Sequence, residues 1–225
     1  MREAESEIIK SIIGKHHQSL NFKVAINLGS GNVEQLRQLK PWVEKNLYQP
    51  LLSMGVRVIN IDACGFPGVD LVIDLNGPNA LEFSDRFEGP KLFILCNVLE
   101  HVTPILRSNL LSNIYSKMKA GDALLVSVPN DYPYHPDPID TMFRPYPAEI
   151  VKLIPLDWKD QLLITSGSYR EEFSKLSLLK KMRKLLKPLL LLQKPQKWLE
   201  SHRLLYLFKD YKITIVFGVK SPALQ

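Results

Sequence analysis

Residues 130–147 read NDYPYHPDPIDTMFRPYP and set His135, Asp137, Asp140 and Arg144 among five prolines. Proline fixes φ and removes a backbone donor, so this frame is stiff. An imidazole and two carboxylates held on such a frame could take a proton from a bound hydroxyl. His135 suits that task best, because an unperturbed imidazole titrates near neutrality. Asp137 and Asp140 could orient it or act directly. Arg144 could bind an acidic acceptor, or pair with Asp140 and brace the loop. The same groups could ligate a metal, but the spacing of His135, Asp137 and Asp140 matches no zinc or calcium pattern, and no metal is expected. A purely structural loop, its Asp and His groups bonding their own backbone, is the bland alternative.

A second set of residues sits at the ends of apolar runs. N-L-G-S-G-N (27–32) follows the first run. Gly29 and Gly31, flanking Ser30, permit a tight turn and close approach of a ligand to the backbone. Asp62, followed by Ala63, ends the second run and could accept hydrogen bonds from two ribose hydroxyls. Asp74-Leu75 ends the third and offers a base one polar edge and one apolar face. C-N-V-L-E-H-V (96–102) follows the fourth. His101 there could be a base or a hydrogen-bonded support. Cys96 reads as a small buried hydrophobe. A dinucleotide fingerprint is not met: Glu34 stands at the third glycine position, and Asp62 lies well beyond the usual spacing of about 20 residues.

The elements that must position these groups alternate. Strand patterns cover 23–28, 56–62, 70–75, 91–96 and 122–129. Val33, Leu36, Leu39, Val43 and Leu47 recur at helical steps and predict one helix over 33–54. A second helix is expected from the Thr103-Pro104 cap to Gly121, with Ile105, Leu106, Leu110, Leu111, Ile114 and Met118 on its apolar face. A short helix over 148–154 and strands at 161–166 and 211–219 complete the pattern. Strands alternating with helices predict a parallel sheet covered on both faces. Ligands then bind beyond the carboxyl ends of the strands, where the strand order reverses.

Taken together over residues 20–150, these motifs resemble a class I S-adenosylmethionine-dependent methyltransferase. NLGSGN resembles its first motif, Asp62 its ribose-binding acid, and NVLEHV the motif after its fourth strand. KMKAGDALLVSVP resembles its fifth-strand segment. YHPDPIDTMFRPYPAEI resembles a loop in bacterial members of unassigned specificity. The resemblance implies an α/β, three-layer Rossmann-like methyltransferase fold with a seven-stranded, mostly parallel sheet and an antiparallel last strand. It implies S-adenosylmethionine as cofactor, held by Asn27, Gly29, Ser30, Gly31, Asp62, Ala63, Asp74, Leu75 and Asn97. Asn27 stands where the family often has an acid, and Asn32 replaces a glycine and can cap the next helix. Asn97 is not part of an Asn-Pro-Pro-Tyr motif, which argues against DNA adenine methylation. The expected activity is O-methylation of a small molecule, a glycan or a lipid-linked precursor, with His135, Asp137 and Asp140 as catalytic candidates. Methylation of RNA or protein, and a retired fold that only binds, are the alternatives.

At 225 residues the chain fits one domain, here with an insertion at about 171–209. Charge is concentrated there: residues 171–212 hold eleven Lys/Arg against four Asp/Glu, in a chain whose net charge is +6. Within 173–198, Leu178, Leu179, Met182, Leu185, Leu186 and Leu189 share one helical face beside Lys180, Lys181, Arg183, Lys184 and Lys187. Pro188 should kink or end that helix. Such a face suits an anionic membrane surface, with a lid packed on the core or a dimer contact as the plainer use. Aromatic residues that would stack nucleic-acid bases are sparse. Cys64 and Cys96 build no disulfide framework, no run of about 18 apolar residues is present, and MREAESEIIKSIIGKHH does not read as a signal peptide. The expected location is cytoplasmic, with attachment to the inner face of a membrane as a further expectation.

Overall fold

Seven strands form one sheet in the order β3-β2-β1-β4-β5-β7-β6. The computed structural model describes residues 1–77, 79–137, 139–190 and 202–222. The strands are β1 (Val24–Leu28), β2 (Arg57–Asp62), β3 (Leu71–Val72), β4 (Lys91–Cys96), β5 (Ala123–Pro129), β6 (Asp157–Ser168) and β7 (Asp210–Val219). β1 to β5 pair in parallel, while β7 runs antiparallel to both β5 and β6. The order reverses between β1 and β4, which opens a crevice at the carboxyl ends of those strands.

Each central strand feeds two cores because successive side chains point to opposite faces. On β4, Phe93 and Leu95 pack with Leu110, Leu111 and Ile114 of α5 (Pro104–Lys117). Leu92 and Ile94 pack on the other face with Ile9, Ile12 and Ile13 of α1 (Glu3–Leu20). Each such fully buried side chain contributes about 1.5–3 kcal/mol. At the amino ends of the strands, buried Asp122 accepts from the Lys91 and Lys119 amides and lies 3.5 Å from the Lys91 ammonium. That end of the sheet is closed by structural polar contacts, and the carboxyl end is left for a ligand.

The structure departs from the sequence expectations in several places. The helix expected over 33–54 is broken. α2 (Val33–Leu39) stops before Pro41, α3 (Pro41–Val43) leads into a π-helical stretch at Glu44–Tyr48, and α4 (Gln49–Ser53) follows. Pro41 and Pro50 each open a new segment, since proline supplies no amide to the preceding turn. Asn32 does cap α2, accepting from the Gln35 amide at 3.0 Å. Thr103 precedes α5 without a side-chain cap bond, and Ile105 is exposed while Arg107 is buried in its place. The third strand is only two residues long. The sixth is twelve, with an alternating burial pattern that the shorter apolar core at 161–166 concealed. α6 (Pro147–Val151) follows the proline-rich loop, close to the expected 148–154.

α1 was not foreseen at all. Its inner face reads Glu5, Ile9, Ile12 and His16, a helical repeat with a polar group at each end. Between β6 and β7 lie α7 (Tyr169–Ser174) and α8 (Leu178–Leu190). α8 continues two residues past Pro188, so that proline does not end it. The remainder of the Leu189–Trp198 stretch from residue 191 onward lies outside the described residues. No described helix is long and apolar enough to cross a membrane.

Candidate functional site

The turn after β1 is folded back on its own backbone. The Gly29 and Ser30 amides both donate to the Ile61 carbonyl, and the Gly31 amide donates to Asp62 Oδ2 at 2.9 Å. Asp62 Oδ1 accepts from the Cys64 amide at 3.0 Å. The amides that would cradle a pyrophosphate in a dinucleotide site are therefore already committed. Gly29 (φ +71°) is fixed by packing as well, because a Cβ there would meet Val98 Cγ2 at 2.6 Å. Gly31 (φ +64°) faces open space: a Cβ there would meet nothing within 4 Å. The turn thus presents its glycine face, not its amide hydrogens, to the crevice. Behind it, the Asn27 amide donates to Tyr48 Oη and Asn60 Oδ1, both at 3.1 Å, in a buried triangle. Burial pushes the Tyr48 hydroxyl up to about 12.

Glu5 supports the next wall. Its carboxylate is fully buried and accepts from the Asn97 side chain at 2.8 Å and the Ser127 hydroxyl at 2.6 Å. Asn97 sits in the left-handed region (φ +56°), a conformation Asn tolerates better than most residues. α1 is thereby tied across the ends of β4 and β5. Burial, with the Glu5 charge nearby, raises the Cys96 thiol to about 12. Cys96 is thus a poor nucleophile near neutral pH, although it is only partly buried and also lines the cavity.

The proline-rich loop is pinned to the site from three directions. Thr141 donates through its amide and its hydroxyl to the Glu100 carbonyl, and accepts from Arg107. Arg107 also stacks on the Phe143 ring, 3.5 Å from its centroid. Thr214 of β7 and Asn130 both donate to the Pro145 carbonyl. Inside the loop, the fully buried Asp140 carboxylate accepts from the His135 and Met142 amides and from both Arg144 terminal nitrogens, the closest at 2.6 Å. Burial alone would raise the Asp140 carboxyl; the Arg144 and backbone bonds outweigh it and hold it below the usual carboxylate range. Asp140 and Arg144 brace the loop, as one of the two roles expected for Arg144.

These walls enclose a cavity of about 1030 Å³. Of the residues expected to bind a cofactor, Asn27, Gly29, Ser30, Gly31 and Asn97 line it. His135 and Asp137 line it from the opposite side, with His101 and Tyr132. Asp62, Ala63, Asp74, Leu75 and Asp140 are not among its described walls. Asp62 stands directly behind Gly31. Asp74 is exposed and accepts from the amide and the side chain of Asn76, a local turn. Leu75 packs on the core.

Three of the groups at this end converge, but not the three that the sequence paired. Glu100 Oε1 lies 3.8 Å from His101 Nε2 and 3.8 Å from His135 Nε2. Glu100 is fully buried, and neither carboxylate oxygen has a hydrogen-bond partner among the described residues. Glu100-His101 follows β4 and His135 follows β5, and these strands are neighbours in the sheet.

The insertion contributes a wall as well. Glu171, Glu172 and Lys175 at α7 line the cavity, and Arg2 bridges Glu172 and the Ser166 carbonyl across it. Tyr169, Tyr206 and Tyr211 form a separate buried cluster with Tyr132 and Phe173 against it. α8 presents its leucines outward: Leu178, Leu179 and Met182 are 76%, 83% and 52% exposed. Its inner contacts are basic, with Lys184 donating to the Tyr169 hydroxyl and Lys181 over the Phe173 ring.

Known structures share this fold. A presumed methyltransferase from Thermobifida fusca is 12% identical and aligns with a TM-score of 0.58 over 98% of this chain and 82% of its own. A DUF574 family protein from Streptomyces avermitilis is 9% identical, with a TM-score of 0.55 over 97% and 82%. The 1,6-didemethyltoxoflavin-N1-methyltransferase of Burkholderia thailandensis, solved with 1,6-didemethyltoxoflavin and S-adenosylhomocysteine, is 12% identical, with a TM-score of 0.52 over 98% and 80%. At these identities the likeness is one of fold: the Rossmann-like architecture expected above is the one observed. No family model matches the chain, and no curated protein matches its sequence.

Proposed function

We propose that this chain is an S-adenosylmethionine-dependent methyltransferase that methylates a hydroxyl of a small molecule, a glycan or a lipid-linked precursor. One observation carries the reading. A single cavity at the strand-order reversal has a glycine turn without free cradle amides on one wall and a braced, His-bearing loop on the other. The first feature fits a cofactor without phosphates, and the second fits an acceptor that must lose a proton.

When bound, S-adenosylmethionine supplies a methyl carbon already activated by a sulfonium. The residues of the chain then have to align the acceptor and exclude water. Gly29, Ser30, Gly31, Asn27 and Asn97 would hold the cofactor directly. Asp62 fixes the turn and keeps further lone pairs for a ribose. Ala63, Asp74 and Leu75 are the candidates beside the adenine. His135 is the proton-handling group on the acceptor wall, with Asp137 beside it. Asp140 acts through His135 and Arg144 as a positioning residue. α7 closes the cavity on the side of the insertion.

The exposed leucines of α8 beside Lys180, Arg183 and Lys184 support attachment to an anionic membrane, at its cytoplasmic face, where a lipid-linked acceptor would be met. Flotation with vesicles containing anionic lipid should require these leucines. Equal flotation after replacing Leu178, Leu179 and Met182 by Ser would remove this part of the reading. The enzymatic part is tested by retention of radiolabelled S-adenosylmethionine. S-adenosylhomocysteine should displace the label and NAD should not. Displacement by NAD, or no retention at all, would sink it.

A further inference from the structure

We propose that Glu100, His101 and His135 form a binding site for one divalent first-row transition ion, open toward the cavity. The site follows from where the protons are. His101 Nδ1 meets the Ile139 carbonyl at 2.5 Å, and a carbonyl only accepts, so Nδ1 carries the hydrogen. His135 Nδ1 lies 3.1 Å from the Pro133 carbonyl and 3.3 Å from Asp140 Oδ2, two acceptors that are nearer than the Arg144 guanidinium nitrogen at 3.5 Å, so it too carries the hydrogen. In their neutral form both imidazoles therefore turn an Nε2 lone pair inward. Both point at a fully buried carboxylate that has no hydrogen-bond partner among the described residues.

With both imidazoles neutral, three electron-pair donors face one another. Their ligand atoms lie within 4.8 Å of one another, and the two nearest approaches are 3.8 Å. That separation is too long for hydrogen bonds. It is close to the roughly 3–4 Å expected between ligand atoms that each sit about 2.0–2.2 Å from a shared ion. A buried carboxylate left unpaired is costly, and an ion would remove that cost. The rings meet nearly edge to face, 5.4 Å apart at 81°.

The outer contacts match those of metal-bound histidines. A backbone carbonyl fixes His101, and a carboxylate, itself tied to Arg144, fixes His135. Two imidazoles and one carboxylate favour zinc, manganese, iron or cobalt over calcium or magnesium. His101 and His135 both line the cavity, so the remaining coordination positions open onto it. Three protein ligands with open positions describe a site that meets substrate. Its use in the reaction rests on the methyltransferase reading. There, the ion would hold the acceptor oxygen and lower the pKa of its hydroxyl, the proton passing to solvent at the open side of the cavity, so that His135 would serve as a ligand and not as the base named above. The ligand geometry itself does not depend on that reading.

The test uses the full chain carrying Cys64→Ser, which removes an exposed competing thiol. After chelation and dialysis, cobalt(II) is titrated and followed by its visible absorption, then displaced with zinc. One equivalent should bind, and saturating zinc should raise the melting temperature. His135→Ala and Glu100→Gln should each weaken binding by at least about 100-fold, since losing a ligand should exceed the 10–100-fold effect of an outer-shell change. Asp85→Ala, an exposed carboxylate away from the cavity, should leave it unchanged. Should either variant fail to fold, His101→Gln, judged by circular dichroism, carries the same expectation. No stoichiometric cobalt binding, or binding kept in these variants, overturns the site and implies a proton where the ion was inferred. Calorimetry with S-adenosylmethionine on the same samples separates the two readings. Cofactor heat without metal binding refutes only the ion, and metal binding without cofactor heat refutes only the methyltransferase.

Discussion

Asp140→Ala is the sharpest probe of how the loop holds His135 in place. The carboxylate is fully buried and accepts four hydrogen bonds: two from the Arg144 guanidinium and one each from the His135 and Met142 amides. Removing it takes the counter-charge from a guanidinium that is only 11% exposed and leaves it the carbonyls of Tyr132, Pro133 and Phe143. Breaking a buried pair by deleting one partner costs about 3–5 kcal/mol. Met142 is held at φ +54° by the same carboxylate, so local strain of about 1–2 kcal/mol is released when the loop opens. The loop can therefore escape by opening locally, which caps the global loss at about 2–4 kcal/mol. Two measurements separate these effects. Urea unfolding should show the global loss at unchanged slope. Hydrogen exchange should show the His135 and Met142 amides losing at least about 100-fold protection, since every 1.4 kcal/mol is a factor of ten. Thr141, bonded to the Glu100 carbonyl, should lose less. A variant within about 0.5 kcal/mol of the parent, with loop exchange unchanged, would refute the idea that this pair organises the loop.

Other expectations follow from the same geometry. Gly29→Ala should destabilise the fold by about 2–4 kcal/mol, combining left-handed strain with overlap on Val98, and Val98→Ala should recover part of the loss in thermal melts. Gly31→Ala carries only the strain, about 1–2 kcal/mol, yet should weaken cofactor binding, because its methyl would enter the cavity; calorimetry would read the difference. Asp122→Ala should cost about 3–5 kcal/mol in urea unfolding with cofactor affinity unchanged, since it lies at the opposite end of the sheet. Asp160 is raised by burial, but bonds from Lys15 and His16 hold it below the usual carboxylate range. Its contribution should be fully present above the usual carboxylate range, at about pH 4, and lost as pH falls through the lower folded value. Asp160→Asn should therefore match the parent in acid and trail it near neutrality, as read by melts across pH.

Much of the sheet was legible because parallel strands buried on both faces read as apolar runs. KLFILC and DALLVSVP fall within a residue of the observed β4 and β5. The broken helix after β1 was not legible from its apolar period alone, though Pro41 and Pro50 marked the breaks. α1 was not legible because Glu5, Ser6 and His16 on its buried face interrupt the apolar period; Glu5 supports Asn97 and Ser127. In the site, the glycine turn and the loop were found from spacing, and the cavity joins them. The Glu100–His101–His135 convergence was not, since it depends on two loops meeting across adjacent strands. Pairing residues within one loop favoured Asp137 and Asp140. The structure uses Asp140 as a brace and brings Glu100, which was read only as part of a motif, into the centre.

The central claim is that the crevice at the strand-order reversal binds S-adenosylmethionine against the glycine turn. Calorimetric titration of the full chain, alongside Gly31→Ala and Asp62→Ala, tests it most directly. The account predicts one equivalent bound by the parent and at least about tenfold weaker binding by each variant, a loss of about 1.4 kcal/mol. No heat with the folded parent, or equal affinity in all three proteins, would contradict it.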